Sequence, residues 1–275
     1  LNKNVNNDFK MTTQATYMGY QTHDFELPFA KFFNETIAPI PANVAATLEH
    51  ALPTPEALTL ENAPKMAEKG YQTVENGYFL LPDGGLHVAV LTPMRDVTPP
   101  MWDWWFGWHG CQDNRYKLWH PAAHKSARWE DGRDDEAYIG RTSIIEEYIG
   151  TSLEKAAIQF VHPTALGFSE AQIADKEEVV YICARLGYPH LPVDFGWLVH
   201  QVRKTAVGAE MRSRFWMGGK HIQLRGDNKL AQLVSAVLPK IAHLPERQAK
   251  DLLQHCSEEM NHLAKILPDL YHEFH

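Results

Sequence analysis

The apolar positions of the chain change period twice, and those changes outline the fold. Up to about residue 70, Pro28, Pro39, Pro41, Pro53, Pro55 and Pro64 keep any helix short. Residues 29–37 (FAKFFNETI) and 42–51 nevertheless carry apolar side chains at helical spacing. They predict a small helical entry region, residues 1–70, that either wraps the main domain or forms a dimer contact. Residues 1–10 read as an extension ahead of Met11.

Beyond Gly70 the texture is that of strands. GYFLLPDGGLHVAVLT splits into apolar runs at 78–81 and 86–91 around Pro-Asp-Gly-Gly, the pattern of a hairpin. TSIIEEYIG and EKAAIQFV flank a turn at 150–152 and predict a second hairpin. WLVHQVRK and AEMRSRFWMGG flank 206–208 and predict a third. VVYICARLGY reads as a core strand or the start of a helix. Between the first two hairpins, VTPPMWDWWFGWH is an aromatic core strand or a short helix that opens on Pro99-Pro100. His120 and His124 then fall on a loop or short helix, and WEDGRDDE is a solvated loop. The carboxy-terminal part turns helical. LAQLVSAVLPKIAHL has helical periodicity broken at Pro239, and a longer helix is opened by Pro245 and closed by Pro268. Leu252, Leu253, Cys256, Met260, Leu263 and Ile266 form its apolar stripe. Strands followed by helices make residues 71–275 an α+β domain.

Composition narrows the partners. A chain of 275 residues with 44% hydrophobic side chains supports a sizeable core, and a net charge of −8 argues against nucleic acid or an anionic membrane as the main partner. The three cysteines, Cys111, Cys183 and Cys256, are odd in number and far apart, so the expected compartment is a reducing cytoplasm. No apolar run approaches the ~20 residues of a membrane-spanning helix.

The chemistry gathers at two places. Four of the eight tryptophans lie within residues 102–108, a fifth is Trp119, and His109, His120 and His124 are interspersed. Such histidines are satisfied core donors or metal ligands. In the carboxy-terminal helix, His255 and Glu259 are four residues apart and therefore one turn apart on one face, beside the Cys256 and Met260 edge of the stripe. His262 is the decoy on that helix. A zinc-like site needs three or four nitrogen and oxygen ligands. One inward glutamate of TSIIEEYIG and one histidine of the aromatic stretch would complete a His₂Glu₂ set. Because strand neighbours face opposite ways, only one of Glu146 and Glu147 points inward, and Glu154 is a further choice. His120 competes with His124. His109, His162, His190, His221, His272 and His275 are taken as surface or structural.

Together WWFGWH, RYKLWHPAAH, EEYIG, LVHQVR, EMRSRFWMG and HCSEEMNHLAKILPDLY resemble the diacetylphloroglucinol hydrolase family, which includes phloretin hydrolases; the likeness runs from about residue 71 to 271. It implies a helix-grip, START-like fold, a curved antiparallel sheet around a long carboxy-terminal helix, and a homodimer formed through the amino-terminal region. It implies one zinc ion per chain, held by His124, Glu147, His255 and Glu259, with Tyr116 and His200 as active-site residues. The implied activity is hydrolysis of the carbon–carbon bond between an acyl group and a phloroglucinol-type ring of a small phenolic ketone, the tryptophans, Trp105 among them, walling the ring. Phe215 stands where the diacetylphloroglucinol enzymes carry a second active-site tyrosine. The competing expectation is a non-catalytic carrier of a hydrophobic ligand, since helix-grip folds also serve that purpose.

Overall fold

The computed structural model describes residues 18–225 and 243–275. Its strands are β1 (Gly77–Leu80), β2 (Leu86–Arg95), β3 (His124–Trp129), β4 (Thr142–Ile149), β5 (Ser152–Val161), β6 (Val179–Gly187), β7 (Val193–Thr205), β8 (Gly208–Met217) and β9 (Gln223–Leu224). They form one antiparallel sheet in the order β1-β2-β8-β7-β6-β5-β4-β3, with β9 paired to β7. All three predicted hairpins are present. Two-residue turns join β4 to β5, where Ile149 pairs with Ser152, and β7 to β8, where Thr205 pairs with Gly208. VVYICARLGY is strand β6, in keeping with its β-branched Val179, Val180 and Ile182.

The helices are α1 (Ala42–Ala45), α2 (Pro99–Trp108), α3 (Asp113–Lys117), α4 (Glu170–Ile173), α5 (Glu246–Leu263) and α6 (Leu267–Phe274). Helix α5 packs against β1 and β2 and also against β4. In the sheet order β2 and β4 are five steps apart, roughly 24 Å across a flat sheet, whereas a helix is only about 10–12 Å wide. The sheet therefore curls around α5, and this is the helix grip. Leu252, Leu253, Cys256, Met260 and Leu263 fill the contact, all buried.

The outer face of the sheet is covered too. Along β8, Ser213, Phe215 and Met217 alternate with Arg212, Arg214 and Trp216, which point the other way. Arg212 and Arg214 both pair with Glu75, and Arg212 and Gln201 donate to the Met66 carbonyl. Trp216 Nε1 donates to the Leu58 carbonyl at 2.7 Å. Residues 58–75 thus wrap the sheet. The helical spacing of 29–37 and 42–51 yields only the single turn α1 and 3₁₀ turns at Ala30–Phe32 and Ala46–Leu48.

Three local expectations are resolved or corrected, and a fourth lies almost wholly outside the described residues. The aromatic stretch is a helix, α2, with Thr98 at its N-cap and Pro99-Pro100 in its first turn, where the missing N–H costs nothing. His124 is on neither a loop nor a helix; it opens β3, paired to β4. Pro268 does not close the long helix. That helix ends at Leu263, and Pro268 sits in the first turn of α6 for the same reason that Pro99 suits α2. The helical reading of 230–244 falls outside the described residues except for 243 and 244.

Candidate metal centre and cavity

The inner face of the sheet and α5 enclose a cavity of about 360 Å³. Glu147, His255 and Glu259 line it. His124 and Glu147 are opposite one another in the β3–β4 register, and an irregularity between His124 and Ser126 re-aims the start of β3. His255 and Glu259 come from one face of α5, as their spacing predicts. His124 Nε2 lies 3.3 Å from Glu147 Oε2 and 3.4 Å from Glu259 Oε2. His255 Nε2 lies 3.7 Å from each of those oxygens. The ligand atoms of His124, Glu147 and His255 are all within 4.8 Å of one another.

These residues suit a divalent ion on three counts. Both Nε2 atoms are buried and have no hydrogen-bond partner among the described residues. His124 Nδ1 faces the Tyr116 carbonyl at 3.0 Å; a carbonyl only accepts, so the proton is on Nδ1 and the Nε2 lone pair points at the carboxylates. Ligand atoms around a tetrahedral zinc at about 2.0–2.1 Å are roughly 3.3 Å apart, close to the four spacings given above. Electrostatics points the same way. Burial, with the neighbouring Glu147 and Glu258 charges, pushes the Glu259 carboxyl up to about 8. Burial would hold His255 down, but Glu259, Glu147 and Glu258 outweigh it and push the imidazole up to about 9. Burial, with His255 and His120 alongside, holds His124 well below its usual value. Two of the four groups, His255 and Glu259, thus hold protons more tightly than usual, while the Glu147 carboxyl, despite its burial, is lowered by its contacts with His255 and Tyr116.

The strand phase is settled at Glu147. Glu146 points outward to Lys125 and Lys155, each 2.6 Å away. Glu154 is opposite Glu147 on β5, half-buried on the cavity wall. His120 bonds Glu258 at 3.2 Å and stacks on His255, with centroids 5.0 Å apart and planes 6° off parallel, so it backs the cluster. His262 is buried outside the cavity wall.

Tyr116 and His200 both line the cavity. The Tyr116 hydroxyl donates to Glu147 Oε2, and burial and that carboxylate hold the phenol well above its usual pKa. Its ring stacks on His124 at 3.8 Å. His200 Nδ1 is 2.8 Å from Ser213 Oγ, its partner across β7–β8, and burial drops the imidazole to about 3, so it is neutral. Phe215 is on the wall with its ring edge-on to His200 at 5.6 Å. Trp105 is not on the wall; it lies behind His109 and Trp119, 5.2 and 6.1 Å from their rings. The tryptophan that lines the cavity is Trp119. His109 lines it too, which corrects its expected place among the surface or structural histidines. A signal existed in its place four residues after Trp105, which on a helix stacks the two rings.

The site is a cavity in a helix-grip fold that meets a cluster of two imidazoles and two carboxylates whose atoms could hold a metal ion. The sequence profile described as "DAPG hydrolase PhiG domain" matches residues 58–272, and the chain belongs to this family. The chain is similar to a 2,4-diacetylphloroglucinol hydrolase of Pseudomonas protegens, 30% identical over 97% of this chain and 91% of that one. It is similar to a phloretin hydrolase of Eubacterium ramulus, 28% identical over 97% of both. Among solved structures, Ara h 8.0201 aligns with 68% of this chain and 99% of its own, at 11% identity and a TM-score of 0.42.

Proposed function

We propose that this protein is a zinc-dependent hydrolase that cleaves the carbon–carbon bond between an acyl group and a phloroglucinol-type ring. The observation that carries the reading is the convergence of Glu147, His255 and Glu259, on the wall of a largely apolar cavity, with the fully buried His124 behind them. Relatives named as hydrolases of acylated phloroglucinols support the substrate class. The stoichiometry is ketone plus water giving the free ring and a carboxylic acid. A ring of this type tautomerises to a β-diketone, so the ring carbon leaves with its electron pair once water has added to the acyl carbonyl and that carbon has taken a proton. Zinc, when bound, polarises the carbonyl and acidifies water.

The chain's own groups do the rest. Glu147 and Glu259 hold the charge of the centre, and Tyr116, a phenol kept protonated, supplies a hydrogen-bond donor beside it. His200, neutral and braced by Ser213, binds a ring hydroxyl and relays its proton. The apolar walls exclude bulk water.

The test is to incubate the metal-analysed protein with phloretin and with mono- and diacetylphloroglucinol, watching for free phloroglucinol and the released acid. Turnover that disappears with chelation and returns with zinc is the expected result. A chain that binds these ketones with no stoichiometric metal and no turnover is a carrier, which refutes the proposal. Sedimentation checks the proposed homodimer.

A further inference from the structure

Three polar groups on the cavity wall, His109, Trp119 and Ser143, have no part in that chemistry. Their depth follows from the strands. Ser143, Ile145, Glu147 and Ile149 face the cavity at alternate positions of β4. Ile149 and Glu154, beside the β4–β5 turn, are half-exposed, whereas Ser143 and Phe160 are buried. The mouth is therefore at the turn, and Ser143 lies beyond Glu147, roughly 13 Å further along the strand. β7 runs the same way, from half-buried Val193 to buried His200. A carbonyl held at Glu147 and His255 has Ile149 and Glu154 toward the mouth and Ser143 inward along β4, with His109 and Trp119 also on the wall.

Those inner groups are uncommitted. His109 Nδ1 is 2.8 Å from the Trp105 carbonyl, so Nδ1 carries the proton and Nε2 offers a lone pair. Burial keeps this ring neutral. Trp119 Nε1 and Ser143 Oγ are buried without a partner among the described residues. The His109 and Trp119 rings are 5.3 Å apart, which sets an acceptor beside a donor. Unpaired buried polar groups are unfavourable unless a ligand completes them.

We propose that His109 Nε2 accepts a hydrogen bond from a ring hydroxyl, with Trp119 and Ser143 completing a recognition site for a polyhydroxylated ring that enters first and leaves its acyl arm toward the mouth. This rests on reading the cavity as a site for acylated polyhydroxybenzenes. It makes His109 a specificity-determining residue rather than a structural one.

The experiment titrates the zinc-loaded full chain with phloroglucinol and with resorcinol, which has one hydroxyl fewer; neither carries an acyl group to hydrolyse. Tryptophan fluorescence reports binding. The parent is expected to prefer phloroglucinol on the order of ten- to a hundredfold. His109→Phe keeps a ring against Trp105 but deletes the acceptor, and should bring the ratio near one with metal content unchanged. Should that variant fail to fold, Trp119→Phe, which removes the neighbouring donor, carries the same comparison. An unchanged ratio in the folded variants, or no preference in the parent, overturns the inference. A chain that hydrolyses acylphloroglucinols yet ignores the third hydroxyl overturns it alone; one that discriminates the rings but hydrolyses none overturns the proposed function alone.

Discussion

Replacing Glu147 by glutamine changes one oxygen to nitrogen at a position 3.3 Å from His124 Nε2 and 3.7 Å from His255 Nε2. Four-ligand zinc sites bind with about 10–16 kcal/mol, so one ligand of four carries roughly 2.5–4 kcal/mol on that scale. At about 1.4 kcal/mol per decade, Glu147→Gln should raise the zinc Kd roughly 10²–10³-fold. The fold should survive, because glutamine fits the same β4 position and still offers an oxygen to the Tyr116 hydroxyl. Glu146→Gln is the matched control: it faces solvent-exposed lysines, whose ion pairs are screened. Titration of stripped protein with zinc against a chromophoric chelator, with a circular dichroism melt alongside, gives both readouts. His255→Ala and Glu259→Ala should resemble Glu147→Gln. Parent-like affinity in Glu147→Gln, or lost affinity in Glu146→Gln, would refute the assignment.

Tyr116→Phe and His200→Ala should keep the metal and lose on the order of 10²–10⁴-fold in kcat, the range for a removed acid or base; metal loss in His200→Ala would instead make that histidine a ligand. Phe215 gives the wall an apolar surface, so kcat/KM should favour phloretin over diacetylphloroglucinol and Phe215→Tyr should move the ratio toward the latter; parallel assays of both enzymes decide, and equal ratios count against the role. Acid should destabilise the protein through His87 and His200, which burial holds at about 3. Their folded pKa is below the unfolded value near 6.5, so the stability they permit above about pH 6.5 is lost as pH falls toward 3, by roughly 1.4 kcal/mol per pH unit for each. Urea midpoints from pH 7 to 4 that stay constant would contradict this.

Local rules carried far along this chain. The period-2 runs around Gly150 and Ala206 are the β4–β5 and β7–β8 hairpins because turn chemistry and side-chain alternation act over a few residues. His255 and Glu259 share a face of α5 for an equally local reason, the helical repeat. The family motifs then carried the assignment to His124 and Glu147. What short spacing leaves open is any relation between distant segments. Whether Glu146 or Glu147 faces inward depends on which side of β4 meets α5, and that is a property of the curled sheet. HKSARW became a strand through its partner β4, which put His124 opposite Glu147 across 23 residues of chain. Two equally aromatic neighbours, Trp105 and His109, parted company in the same way. Helix α2 buries the tryptophan behind the wall and the turn that follows it leaves the histidine on the wall, a difference set by packing against Trp119 and Tyr116 rather than by the residues themselves.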